Sequence, residues 1–292
     1  MPMIRVENLT KTYGRIDAVR DVTFSAAPGR ITGLLGLNGS GKTTTLRMLL
    51  GLTRPTSGSA LLNGVPYRDL VHPVRQVGAV LEQGLSNPGQ TGYQHLVTHA
   101  LLCGASRRRA AQLIEEVGLA DAAGRRTGDY SLGMRQRLAV ATALLGDPGI
   151  LVLDEPANGL DPSGMAWLRD LLWRRAAAGG TVLISSHLLA ELQQLVVDVV
   201  IIALGEVRLA APLAELSGAG RLRIRGGDPR RLWHAFERHG ARVTTDGTAL
   251  LVEGLSPEDA GGIALHAQVP VFELTIERPR LEEIFLQVAG AR

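Results

Sequence analysis

The chain has 292 residues, enough for about two average domains of roughly 150 residues each. With 45% apolar and 20% charged residues it is globular, which excludes a disordered or collagen-like chain. The net charge of +3 comes from 31 basic and 28 acidic residues, and Lys11 and Lys42 are the only lysines. The arginines are scattered among carboxylates without interleaved aromatics, a pattern of codon bias rather than of a nucleic-acid surface. The one cysteine, Cys103, has no internal disulfide partner and reads as a small buried apolar residue.

The N-terminus turns charged and strand-like from Ile4, where a secretory signal would need a long apolar core. From Ile4 to Leu209 short β-branched runs alternate with helical patterns. Ile31 to Leu35, Ile150 to Leu153, Val182 to Ile184 and Val199 to Ile202 are nearly all apolar, as parallel strands buried on both faces require. Between about Pro88 and Asp147 the pattern is helical. Ala110, Leu113, Ile114 and Val117 fall at the spacing of one buried helix face. The preceding Arg107, Arg108 and Arg109 read as a solvated helix start rather than a lipid contact. Asp161 is the expected N-cap of a helix that opens on Pro162 and stops at Gly179-Gly180. The most apolar stretch, Leu195 to Leu204, is broken by Asp198 and is far shorter than the ~20 residues of a membrane span.

After Ser217-Gly218-Ala219-Gly220 the order changes. Strand 221–226, helix 228–239, strands 241–245 and 248–253, helix 256–267 and strand 271–276 form a βαββαβ string, which predicts a small ferredoxin-like domain followed by a last helix at 280–289. His234, His239 and His266 in it lack metal-ligand spacing. The predicted domains are 1–217, with a helical subdomain at about 88–147, and an accessory domain at 218–292.

Two features carry chemistry. Gly36-Leu37-Asn38-Gly39-Ser40-Gly41-Lys42-Thr43 matches the phosphate-binding loop pattern in full, after an apolar strand and before the helical run Thr44 to Leu50. Its glycines let backbone N–H groups converge on phosphate oxygens, the helix presents its positive end, Lys42 adds a compact charge, and Thr43 offers Mg²⁺ a hydroxyl. The second is Ile150-Leu151-Val152-Leu153-Asp154-Glu155-Pro156, a buried strand ending in two acids. Phosphoryl transfer needs a carboxylate beside Mg²⁺, assigned to Asp154, and a base or orienter for water, assigned to Glu155.

At this point the sequence resembles the nucleotide-binding subunit of an ATP-binding cassette (ABC) transporter over residues 3–217. Tyr130-Ser131-Leu132-Gly133-Met134-Arg135-Gln136-Arg137 is similar to that family's signature. Ser131 and Gly133 match, Tyr130, Leu132 and Met134 depart, and Gln136 lies two positions beyond the usual glutamine. Ser131 also suits the N-cap of a helix running to Gly146. Asn158-Gly159-Leu160-Asp161 is similar to the D-loop. His187, after the strand Thr181 to Ser186, matches the histidine at the γ-phosphate, and Tyr13 matches the aromatic that stacks on adenine. The family's glutamine falls at Glu82, with Gln83 one step on, so a carboxylate stands as the third candidate Mg²⁺ ligand. These variants, with the closing Leu281-Glu282-Glu283-Ile284-Phe285-Leu286, resemble the branch of antibiotic and bacteriocin export or self-resistance cassettes.

The resemblance implies an α/β P-loop ATPase fold with ATP and Mg²⁺ as ligands. It implies ATP on Tyr13, on Gly36 through Thr44 (Gly36, Leu37, Asn38, Gly39, Ser40, Gly41, Lys42, Thr43 and Thr44), and on Ser131 and Gly133 of a second subunit, with Glu155 and His187 catalytic. It further implies a homodimer, or a heterodimer with a similar ATPase, and a separate transmembrane permease contacted by Asn87 to Leu96 and the helical insert at the cytoplasmic face. The cargo class would be a drug, antibiotic or peptide. The accessory domain could support the dimer, bind a regulatory ligand or dock on the permease. A soluble ABC ATPase acting on nucleic acid or ribosomes is the alternative, but the two cassettes, long coiled coil or cysteine clusters of such relatives are missing. A P-loop kinase or GTPase is a third, and a GTPase would want an Asn-Lys pair that this sequence lacks.

Overall fold

The computed structural model describes residues 3–81, 86–188, 192–216, 220–277 and 281–290. They divide into two compact units, residues 3–213 with 285–290, and residues 214–284.

In the first unit, β1 (Ile4–Tyr13), β2 (Ile16–Ala26) and β4 (Ser57–Leu62) form an antiparallel sheet in the order β2-β1-β4. A six-stranded sheet runs β5-β6-β7-β3-β8-β9, from β3 (Ile31–Leu35), β5 (Val77–Val80), β6 (Ile150–Asp154), β7 (Thr181–Ser186), β8 (Asp198–Ala203) and β9 (Glu206–Pro212). All neighbours are parallel except β9, which returns antiparallel to β8. Every residue of β3, β6 and β7 is buried, which is why these strands read as unbroken apolar runs. Because β6, β7 and β3 are adjacent and parallel, their carboxyl ends fall on one edge. Asp154 is level with Ser185, and Leu35 with Ser186. Open α/β sheets bind ligands at that edge.

The helices of this unit are α1 (Lys42–Leu49), α2 (Pro73–Gln76), α3 (Gly92–Leu102), α4 (Arg107–Glu116), α5 (Leu132–Ala143) and α6 (Pro162–Ala177). The helical insert is α3, α4 and α5, packed on one another. Ser106 caps α4, which buries Ala110, Leu113 and Ile114. Arg107 and Arg108 are exposed, whereas Arg109 turns inward and donates to Leu144 O at 3.2 Å. Three local expectations are corrected. The phosphate-loop helix starts at Lys42, two residues before Thr44. The signature helix stops at Ala143, short of Gly146, where the backbone passes so close to Val74 that a Cβ would sit 1.9 Å from its carbonyl oxygen. Cys103 is half-buried at the end of α3.

The short α7 (Leu213–Leu216) follows β9. The second unit then runs β10 (Arg221–Gly226), α8 (Pro229–Arg238), β11 (Arg242–Asp246), β12 (Ala249–Glu253), α9 (Pro257–His266) and β13 (Val271–Glu277); α10 (Leu281–Gly290) closes the order, its residues from Phe285 belonging to the first unit. Its antiparallel sheet is ordered β11-β12-β10-β13, a split βαβ arrangement. Alternation in β10 explains it: Leu222 and Ile224 enter a core with Phe236 and Val252, while Arg221 and Arg223 face carboxylates of Glu277 and Asp246. His239 and His266 each place Nδ1 2.8 Å from a backbone carbonyl four residues back, and no metal-binding cluster occurs among the described residues.

Candidate active site

The loop after β3 delivers Gly36 to Thr44 to the sheet edge. α1 opens on Gly41 at φ +106°, a conformation L side chains rarely adopt, and a Cβ there would lie 2.6 Å from Ala18 O. No side chain caps this helix. By contrast Thr91, Ser106, Ser131, Asp161, Asp228 and Ser256 cap α3, α4, α5, α6, α8 and α9 with a side-chain oxygen. An uncapped start leaves donors and positive potential for an anion. The buried Ser40 hydroxyl also has no partner among the described residues. The Lys42 ammonium is buried inside the loop, 2.7 Å from Gly36 O and 3.3 Å from Leu37 O.

The acids meet this loop directly. Asp154 is buried; its Oδ2 accepts the Thr43 hydroxyl at 2.7 Å and its Oδ1 accepts the Ser185 hydroxyl. Glu155 has φ +49°, a region sparse for non-glycine residues. Its N–H is held by Ser185 O at 3.2 Å and Ser185 Oγ at 3.0 Å. Its carboxylate spans two groups: Oε1 is 3.6 Å from Lys42 Nζ, and Oε2 is 2.8 Å from His187 Nδ1. Thus the ends of β3, β6 and β7 are tied together by charged and polar contacts. The Thr43 hydroxyl and the Asp154 carboxylate are the hard oxygen donors that Mg²⁺ takes alongside phosphate and water, so the residues present fit that ion. Glu82 and Gln83 lie outside the described residues.

The signature segment is built differently. Ser131 is exposed and accepts the Met134 N–H at 3.2 Å, capping its own helix. Tyr130 is buried with its hydroxyl on Ala122 O, and burial raises its pKa. Leu132, a departure from the family pattern, packs on Gly159, whose φ is +76° and whose Cβ would fall 2.2 Å from the leucine side chain. Asp161 accepts the Gly164 N–H at 2.8 Å; that bond and the Ser163 hydroxyl hold its carboxyl below the usual carboxylate range. A cleft of about 430 Å³ is lined by Ser131, Gly133, Met134, Gly159 and Asp161 among others, and by none of residues 36–44.

Tyr13 ends β1 half-exposed, with Lys11 Nζ 4.8 Å from its ring centroid. A second cleft, of about 130 Å³, is lined by Leu81, Ser86, His95, His99, Arg135 and Thr142. Burial, reinforced by the neighbouring His99, lowers the His95 pKa to about 4, so its ring is neutral at pH 7. Ser185, the Leu132–Gly159 contact and this histidine pair belong to no motif of the sequence. The one signal for the first was two hydroxyl residues, Ser185 and Ser186, closing an otherwise apolar strand.

Comparison with known proteins decides the family. The model described as ABC transporter matches residues 19–158. The bacitracin transport ATP-binding protein BcrA of Bacillus licheniformis is 34% identical over 99% of this chain and 97% of its own length. The chain belongs to the ATP-binding subunits of ABC transporters. Nod factor export ATP-binding protein I of Burkholderia orbicola (strain AU 1054) is 34% identical over 98% of this chain and 97% of its own. A solved ATP-binding subunit of an ABC transporter superposes with a TM-score of 0.67 at 30% identity, covering 73% of this chain and 91% of that one. A dimeric post-hydrolysis ATP-binding cassette bound to ADP and Pi superposes at 0.64 with 26% identity, over 72% and 99%. The P-loop ATPase fold and the ATPase activity of the family therefore apply to this subunit, and the bacitracin and Nod factor relatives are by name transport and export subunits. Residues 220–282 match a domain of unknown function. No described helix is long and apolar enough to cross a membrane.

Proposed function

We propose that this ABC subunit drives an exporter of a drug, antibiotic or peptide, working as a dimer with a separate transmembrane permease. The observation that carries the reading is the division of its chemistry: loop, acids and His187 are joined at one sheet edge, while Ser131 and Gly133 line a cleft with no phosphate-loop residue. ATP on one protomer would be completed by the signature of its mate, a homodimer or a similar ATPase. Tyr13 would stack on adenine. The amides of Gly36 to Thr44 and Lys42 would hold the phosphates. Thr43 and Asp154, with Glu82 as a third candidate, would hold Mg²⁺, which when bound neutralises charge on the β- and γ-phosphates. Glu155 would orient water, take its proton, and be steadied by His187. Because ATP binds only the closed dimer tightly, its hydrolysis releases closure and moves the permease.

The bacitracin and Nod factor relatives support export. Asn87 to Leu96 and the helical insert are the proposed permease contact, which would place the subunit on the cytoplasmic face of the membrane. The test is co-purification of tagged Glu155→Gln with ATP from gently solubilised native membranes. A multi-span membrane protein in near-stoichiometric amount is expected. Recovery of ribosomes or DNA with no membrane protein would overturn the reading.

A further inference from the structure

We infer that Ser185 is a positioning residue for ATP hydrolysis, its hydroxyl tying the Asp154 carboxylate to the Glu155 peptide. The inference rests on the roles proposed above for those two acids. Ser185 is fully buried on β7, in register with Asp154 on β6. A serine hydroxyl has one proton and two lone pairs. Here the proton goes to Asp154 Oδ1, and a lone pair receives the Glu155 N–H at 3.0 Å. Thr43 meanwhile donates to Asp154 Oδ2 at 2.7 Å. Both carboxylate oxygens are therefore fixed, and Asp154 keeps one orientation toward the Thr43 hydroxyl.

The same hydroxyl holds Glu155 at its left-handed φ of +49°. That conformation persists in a non-glycine residue only where the surroundings over-determine it. Here they do so through the paired contacts of its N–H with Ser185 O and Oγ. The result is a continuous path from the Thr43 hydroxyl through Asp154 and Ser185 to the Glu155 peptide. It links the residue beside the phosphates to the residue that orients water. An alanine at 185 would fill the strand equally well but would release one Asp154 oxygen and leave the Glu155 N–H with the Ser185 carbonyl alone.

The test compares Ser185→Ala, Ser185→Thr and Glu155→Gln in the full chain. Ser185→Ala is expected to lower kcat about tenfold with KM for ATP changed less than about twofold, the size of a lost charge-assisted hydrogen bond. ATP affinity measured by equilibrium titration, with and without Mg²⁺, should match the parent within about twofold, so that the loss falls on kcat. Ser185→Thr, which keeps the hydroxyl, should restore kcat. If the alanine variant does not fold, Ser185→Cys, nearly isosteric and a poor donor, carries the same expectations. Either a parental kcat in the donor-lacking variant, or a joint fall of kcat, Mg²⁺-free affinity and thermal midpoint as from lost packing, would overturn the inference. A parental rate in Glu155→Gln would instead overturn the reading of the site; an inactive Glu155→Gln beside a parental Ser185→Ala would sink this inference alone.

Discussion

Two helix starts in the first unit face opposite requirements. α5 begins at Ser131, whose own side chain satisfies the Met134 N–H. α1 begins at Gly41 with no side-chain cap and no acidic residue in its first turn. A helix start without a cap forgoes about 1 kcal/mol, and in the proposed reading the amides of this one serve the nucleotide phosphate. Around α1 the protein fixes everything else in advance: Lys42 inside the loop, Thr43 on Asp154, Glu155 on His187. Around α5 it fixes the backbone only, through the Ser131 cap and the Leu132–Gly159 packing, and leaves the Ser131 side of the cleft exposed. In the proposed reading one half-site is wired for a nucleotide of its own chain, and the other meets a nucleotide held by its mate.

The contrast can be broken at several points. The largest effect is expected in the wired half: Glu155→Gln should reduce steady-state ATPase by about a hundredfold or more while leaving ATP binding in place. In the signature half, Gly159→Ala puts a Cβ into Leu132 at a left-handed φ, which should destabilise the chain by about 1–3 kcal/mol in denaturant unfolding. Leu132→Ala should recover part of that loss, because the two positions are in contact.

Acid should act on the insert. The folded His95 pKa of about 4 lies below the ordinary 6.5, so the unfolded chain binds the extra proton between those values. Stability from this group is full above pH 6.5 and is lost as pH falls to 4, by an amount on the order of 2 kcal/mol. Denaturant midpoints at pH 7 and pH 4.5 should therefore differ less in His95→Gln than in the parent. Smallest of all, Ser131→Ala should cost about 1 kcal/mol of stability through the lost cap.

Much of the site was legible because its chemistry is local in sequence. The eight residues from Gly36 to Thr43, the acids at the end of β6 and the histidine after β7 all sit at the ends of apolar runs, and a buried parallel strand has no other way to read. The Asp161 and Pro162 start of α6 was legible for the same reason. What stayed hidden depends on partners far along the chain. Nothing local to Leu132 announces Gly159, and nothing local to Ser185 announces Asp154, because register between β6 and β7 brings them level. The end of α5 also differs, at Ala143 instead of Gly146, and Gly146 itself passes close to Val74, some seventy residues upstream, which nothing local to it announces. The antiparallel sheet of β1, β2 and β4 likewise joins segments whose alternation is interrupted by bulges.

In the proposed dimer two half-sites from different protomers close over one nucleotide. The direct measurement is the mass of full-length Glu155→Gln by light scattering, with and without saturating ATP and Mg²⁺, beside the same protein carrying Ser131→Arg. The expected result is a single chain without nucleotide, a dimer with it, and no dimer in the Ser131→Arg protein although ATP still binds. A single chain that stays single while saturated with ATP, or a dimer indifferent to Ser131→Arg, would contradict the division of the site between two subunits.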